Sequence, residues 1–250
     1  RLSPGLRVRQ RFTALLQRTF PGLGLAPAGL TALSALCLTL YYHHGTPGDA
    51  PKWFLEAAAD LTGIEIPKFH RHAWGHLSAL VMLLTVPALF ARFALGMGLR
   101  DLGFRIKGTG KEFLLILGLW AAFTPVIIYF SGTGAFARTY PRLAEAANDP
   151  SIFWLYQGFY LLKWMSWEFF FRGFMLFAFR RYVGATAVLI STLPFVIMHV
   201  GKPEAEMIGA IAAGFILCGI SLQSKSIWPG VVLHAGVATT MDFFTSDWWR

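Results

Sequence analysis

This sequence predicts an all-α, polytopic bundle of membrane-spanning helices, on three observations. Of its 250 residues, 55% are hydrophobic and only 14% are charged, against roughly a quarter charged in soluble domains. The apolar residues gather into runs of about 20, the length at which a helix crosses the hydrocarbon core. The charges collect in short stretches between those runs. Backbone amides in hydrocarbon must be satisfied within their own segment, so such runs imply helices.

Residues 1–23 read as a basic juxtamembrane segment, with Arg1, Arg7, Arg9, Arg11 and Arg18 among Leu, Val and Phe. Such a mixture lies on anionic headgroups. Residues 24–250 read as one transmembrane domain. Its apolar runs fall at 24–42, 74–97, 113–131, 152–179, 184–200, 206–223 and 226–245, which predicts about seven spans, within a range of six to eight. The first run is expected to do the targeting. Pro87 and Pro125 lie inside the second and third runs, where neighbouring helices can satisfy the carbonyls they free. His70, His72 and His76, with Trp74, Lys68 and Arg71, read as an interfacial belt, as do His43 and His44 after Tyr41 and Tyr42. Trp248 and Trp249 read as an anchor at the far interface.

Orientation follows from the basic residues. The leader, the connection from Arg92 to Lys111, the Arg180–Arg181 pair and Lys225 all fall on one side. The opposite loops offset their bases with Asp49, Glu56, Asp60, Glu65, Glu145, Asp149, Glu204 and Glu206. This predicts a cytoplasmic N-terminus. The formal net charge of +9 is not concentrated in one long tract, so membrane lipids rather than nucleic acid are the expected partners. Cys37 and Cys218 sit alone inside apolar runs, which supports neither a disulfide framework nor a CxxC metal site.

The C-terminal half carries the chemistry. Ionisable groups inside spans cost about 2.5–3.5 kcal/mol each on insertion scales, so their presence points to function. They are Glu168 and Arg172 in "WEFFFRGF", His199 closing "FVIMH", and His234 and Asp242 in "LHAGVATTMD". At a helical rise of about 1.5 Å, Glu168, His199, His234 and Asp242 come out roughly 18, 22, 13 and 25 Å from the basic side. All four are expected to line one cavity near mid-bilayer. Arg172 follows Glu168 by four residues, in the order that favours an ion pair. A buried carboxylate can activate water, and imidazoles can share that water or donate to an oxyanion. A Glu–Arg pair alone can also merely pin a helix, and a lone His near a helix end is often a cap.

Glu168-x-x-x-Arg172-Gly173, then Phe195-x-x-x-His199, then His234 in a last apolar helix, resembles the three-motif signature of the CPBP family, the CAAX protease and bacteriocin-processing (Abi) intramembrane proteases. The likeness runs from about residue 95, at "GLRDLGFRIKGTGKE", to about 245. It implies a multi-pass protein of the bacterial inner membrane that cleaves a membrane-associated peptide or protein. The family's first motif usually has a second Glu, where this chain has Trp167. Its third usually has a polar residue four after the His, where this chain has Ala238. Glu206 and Asp242 are the candidates to supply the lost groups. The resemblance leaves two mechanisms open: a metal-free, glutamate-type hydrolase, which is preferred, or a zinc site of Glu168, His199 and His234 with an open fourth position. The missing residues also fit a catalytically inactive scaffold or accessory subunit of a larger membrane complex. A transporter is disfavoured, since no inverted repeat is visible.

Overall fold

The computed structural model describes residues 4–106 and 110–249, and among them it is helical with no strand. Arg1 of the leader and Lys107 of the connection from Arg92 to Lys111 lie outside the described residues, as do the side chains of Arg7 and Arg9. The basic leader forms α1 (Pro4–Thr19), with Val8, Phe12 and Leu15 exposed. Then come α2 (Leu25–His44), the short α3 (Lys52–Thr62) and α4 (Pro67–Ala94). After them come α5 (Gly110–Ser131), α6 (150–183), α7 (Ala187–Ile197), α8 (Glu204–Ser224) and α9 (Trp228–Thr245).

Each predicted apolar run corresponds to one of these helices. Five stretches are long and apolar enough to cross a membrane: Leu25–His44, Pro67–Ala94, Gly110–Ser131, Pro150–Ile197 and Glu204–Ser224. Two effects separate five from seven. Pro150–Ile197 contains two of the predicted runs, because the chain folds back at Gly184, whose φ of 57° is open to glycine at little cost. The α7 arm then packs along α6, where the Ser191 hydroxyl donates to the Phe171 carbonyl at 2.8 Å. The other effect concerns α9, which carries His234, Thr239, Thr240 and Asp242 and is correspondingly less apolar. No residue of α9 is exposed, since α5, α6 and α8 surround it. A helix shielded by protein can hold polar groups that a lipid-facing helix cannot. Close packing is evident at Gly236, where an added Cβ would come 3.0 Å from the Trp120 ring, and Trp120 Nε1 donates to Thr240 Oγ1 at 2.9 Å.

Two helices depart from α geometry. In α4 the segment Leu80–Thr85 is π-helical and ends two residues before Pro87, which cannot donate an amide bond. In α6 the segment Phe169–Ala178 is π-helical and begins directly after Glu168. Such segments recur at functional sites.

The interfacial reading of the histidines on α4 is overturned for two of them. His70 and His76 are each only 2% exposed. His70 Nε2 bonds the Ile64 carbonyl at 2.8 Å, and His76 stacks on Tyr160 of α6 at 5.2 Å between ring centroids. His76 faces α6 and His70 turns back to the connection before α4, so tertiary packing rather than the water interface receives them. Trp74 keeps an interfacial style of contact, donating from its indole to the His44 carbonyl at 3.0 Å.

Candidate active site

The site is assembled by α6, α7 and α9. Glu168 is wholly buried at the start of the π segment, and its Oε1 is shared by two donors. Arg172 Nη1 reaches it at 3.2 Å and His234 Nδ1 at 2.7 Å. A carboxylate oxygen only accepts, so His234 carries its proton on Nδ1 and leaves Nε2 free. The second oxygen, Oε2, has no hydrogen-bond partner within the protein and lies against Gly230 of α9. A Cβ at residue 230 would sit 2.9 Å from that oxygen. Glycine there lets α9 approach closely enough for His234 to reach the carboxylate.

Arg172 is also wholly buried, with its guanidinium carbon 4.0 Å from the centre of the Phe195 ring. Phe195 links the motifs spatially. Its ring lies 4.8 Å from His199 and 5.9 Å from His234. His199, 5% exposed in the turn after α7, bonds the Phe195 carbonyl through Nδ1 at 2.7 Å. A carbonyl also only accepts, so His199, like His234, donates from Nδ1 and does not use Nε2 in that bond.

Both imidazoles line a cavity of about 250 Å³. Its walls are mostly apolar, including Leu119, Phe123, Val126 and Phe130 of α5 and Ala213 and Leu217 of α8. A polar group stands at one end, of which the sequence points only to Glu206. Glu206, in the first turn of α8, accepts from Lys202 Nζ on one oxygen at 2.5 Å and from the Tyr140 hydroxyl on the other at 2.6 Å. All three line the cavity. Tyr140 and Lys202 stand in connections between helices, where sequence alone offered no signal. Trp164, also in the cavity wall, stacks on His234 with ring centroids 4.1 Å apart.

Three expectations need correction. Glu168 and Arg172 do not line the cavity; they lie behind His234, so the carboxylate meets the cavity only through that imidazole. Asp242 does not line it either. Eight residues at about 100° each leave Asp242 some 80° from His234 around α9. It turns instead to Gln157 of α6, which donates to Asp242 Oδ2 at 2.8 Å while accepting from Thr239 at 2.9 Å. Gln157, a buried amide in an apolar run, was the overlooked signal for this contact. Finally, Glu168, His199 and His234 do not fit as three ligands of one zinc ion. Oε1 of Glu168 is already occupied by His234 and Arg172, and its Oε2 faces Gly230. Among the described residues no three His, Cys, Asp or Glu side chains converge as a metal-binding group.

Residues 149–240 match the family model described as Type II CAAX prenyl endopeptidase Rce1-like. Over this stretch the chain is similar to the CAAX protease family. Comparison with curated proteins and with solved structures gave no match. The family segment opens at Asp149, whose side chain caps α6 by accepting from the amides of Ser151 and Ile152. It closes inside α9, so it holds Glu168, Arg172, His199, Glu206 and His234 and excludes Asp242. It is shorter than the likeness expected from residue 95 to 245, leaving α5 outside although α5 forms one cavity wall. The family is one of peptidases. Trp167, where the usual motif has a Glu, is turned to α2 and packs edge-on against Tyr41 at 6.2 Å and beside Phe171 at 5.2 Å. Ala238 lines the cavity with only a methyl group.

Proposed function

We propose that this chain is an intramembrane endopeptidase that hydrolyses a peptide bond in a membrane-associated peptide or protein, with His234 and His199 acting on the water. The observation that carries this reading is the 2.7 Å bond from His234 Nδ1 to the buried Glu168, made by an imidazole that itself lines the cavity. In this arrangement His234 Nε2 takes a proton from water as the oxygen attacks the peptide carbonyl. Glu168 stabilises the imidazolium so formed and keeps the ring in the required tautomer, as a carboxylate does for a catalytic histidine elsewhere. Arg172 keeps Glu168 ionised. His199, oriented by the Phe195 carbonyl, offers a second basic nitrogen to the same water and, once protonated, a proton for the leaving amine. Glu206 is the carboxylate in the cavity wall itself, and Tyr140 and Lys202 hold it in place.

The apolar walls suit an apolar substrate side chain or chain segment. Membrane lipids surround the protein, and the bacterial inner membrane is its proposed location. The reaction is read as metal-free, with no cofactor. Metal analysis of the purified protein is expected to give well under one zinc per chain, with turnover unaffected by chelators. Stoichiometric zinc together with chelator-sensitive turnover would replace this mechanism.

The deciding experiment is turnover of a library of membrane-anchored peptides by purified protein in liposomes. Glu168→Gln, His199→Gln and His234→Gln are each expected to lower kcat by about 100-fold or more, in the range typical of acid–base groups. Full turnover by all three variants would sink the proposal.

A second reading is favoured by Trp167 and Ala238. With an indole turned away from the cavity and a methyl group in place of two polar residues, the chain also fits an inactive scaffold or accessory subunit. Co-purification with a membrane complex in fixed stoichiometry, with no peptide turned over, would establish it.

A further inference from the structure

His234 is held from two directions by one helix. Glu168 takes its Nδ1–H in the ring plane at 2.7 Å. Trp164, one turn earlier on α6, covers the ring face at a centroid distance of 4.1 Å with the planes 29° apart. A single hydrogen bond leaves the imidazole free to swing about the N–H···O axis, and a stacked ring removes that freedom. Trp164 cannot easily retreat. Tyr160 lies behind it at 4.7 Å, and the buried His76 of α4 is stacked on Tyr160 at 5.2 Å. Phe195 meets His234 edge-on at 5.9 Å.

We propose that Trp164 is a positioning residue for His234: its indole face fixes the plane of the imidazole so that Nε2 stays directed into the cavity. This rests on the peptidase reading of the cavity. An indole face attracts a cation more strongly than a neutral ring, so the contact tightens as His234 takes up a proton in the transition state. The consequence is an effect on kcat with little effect on KM. A residue that merely fills space would not distinguish an aromatic replacement from an aliphatic one.

The test compares Trp164→Leu with Trp164→Phe on a peptide that the wild type cleaves. The Leu variant is expected to lose about tenfold in kcat with KM within about twofold, while the Phe variant stays within about threefold of wild type. Equal losses in the two variants, or a loss confined to KM, would overturn the proposal. Should the Leu variant not fold, Trp164→Met takes its place with the same expected result. A readout independent of turnover keeps the clamp separate from the peptidase reading: modification of His234 by diethyl pyrocarbonate, mapped by mass spectrometry. It is expected to run several-fold faster in the Leu variant than in wild type or the Phe variant. Equal rates in all three would refute the clamp; no turnover by wild type with the expected modification pattern would refute the peptidase reading alone.

Discussion

At the scale of single residues, the site depends on one carboxylate oxygen. Oε1 of Glu168 accepts from both Arg172 and His234 in a fully buried setting. A buried ion pair adds little net stability over an apolar pair, but removing one partner strands the other charge. Arg172→Met is therefore expected to destabilise the protein by about 3–5 kcal/mol, read as a lower denaturant midpoint in detergent. An unchanged midpoint would mean that Glu168 is not charged there. Gly230 makes the finer point. A methyl group 2.9 Å from Glu168 Oε2 must displace either the carboxylate or α9. Gly230→Ala is expected to lower kcat by about tenfold or more through misplacement of His234, while a turnover number equal to wild type would show that the approach of α9 is not critical.

At the scale of elements, the contacts that align the motifs are between helices, not within them. α7 is fixed to α6 by Ser191 and to α8 by the Gly214–Thr192 contact, where a Cβ on residue 214 would lie 2.5 Å from the Thr192 methyl. Gly214→Ala is expected to cost about 1–3 kcal/mol by overpacking and to shift His199, which α7 carries. Measured together, thermal stability and kcat should both fall; a fall in stability alone would place His199 under the control of its own turn. Trp167 belongs to this scale as well. It is part of the α2–α6 interface, so Trp167→Glu buries a carboxylate among Tyr41 and Phe171, with Lys163 Nζ 5.8 Å from the centre of the present Trp167 ring. Loss of stability without gain of turnover is the expected outcome, since the substitution puts the acid on the α2 side of α6. A rise in turnover above wild type would reverse this view of the position.

For the whole molecule, the arrangement places an apolar cavity between helices that line it from several sides, with Glu206, Lys202 and Tyr140 gathered at one end. The basic residues at Arg180, Arg181 and Lys225 lie at the opposite ends of α6 and α8. A cytoplasmic N-terminus then puts the Glu206 end of the cavity on the far side of the membrane. Single cysteines at Gly48 and Glu204 in a background free of Cys37 and Cys218 are expected to label with a membrane-impermeant maleimide in intact cells, and one at Arg181 only after lysis. The reverse pattern would invert the topology.

How much of this was legible in the residues themselves follows from what hydrocarbon demands. Apolar runs of spanning length, broken by charged connections, determine an all-helical membrane protein, and Glu168, Arg172, His199 and His234 stand out because charge is costly in those runs. Their spacing along the chain also carried the family likeness. Rotation and closeness were not legible. Helices buried on several faces lose the one-sided pattern that reveals which way a side chain points, so the sequence alone points Asp242 to the cavity although it pairs with Gln157, and His76 to an interface although it stacks on Tyr160. Only the packing of α9 into the bundle decided that Glu168 lies behind the His234 imidazole, that Gly230 admits this approach, and that Tyr140, Lys202 and Trp164 line the cavity together with that imidazole. The physical reason is that hydrophobicity selects which segments enter the membrane, whereas the facing of one polar atom toward another is settled by close-packed contacts between segments far apart in the chain.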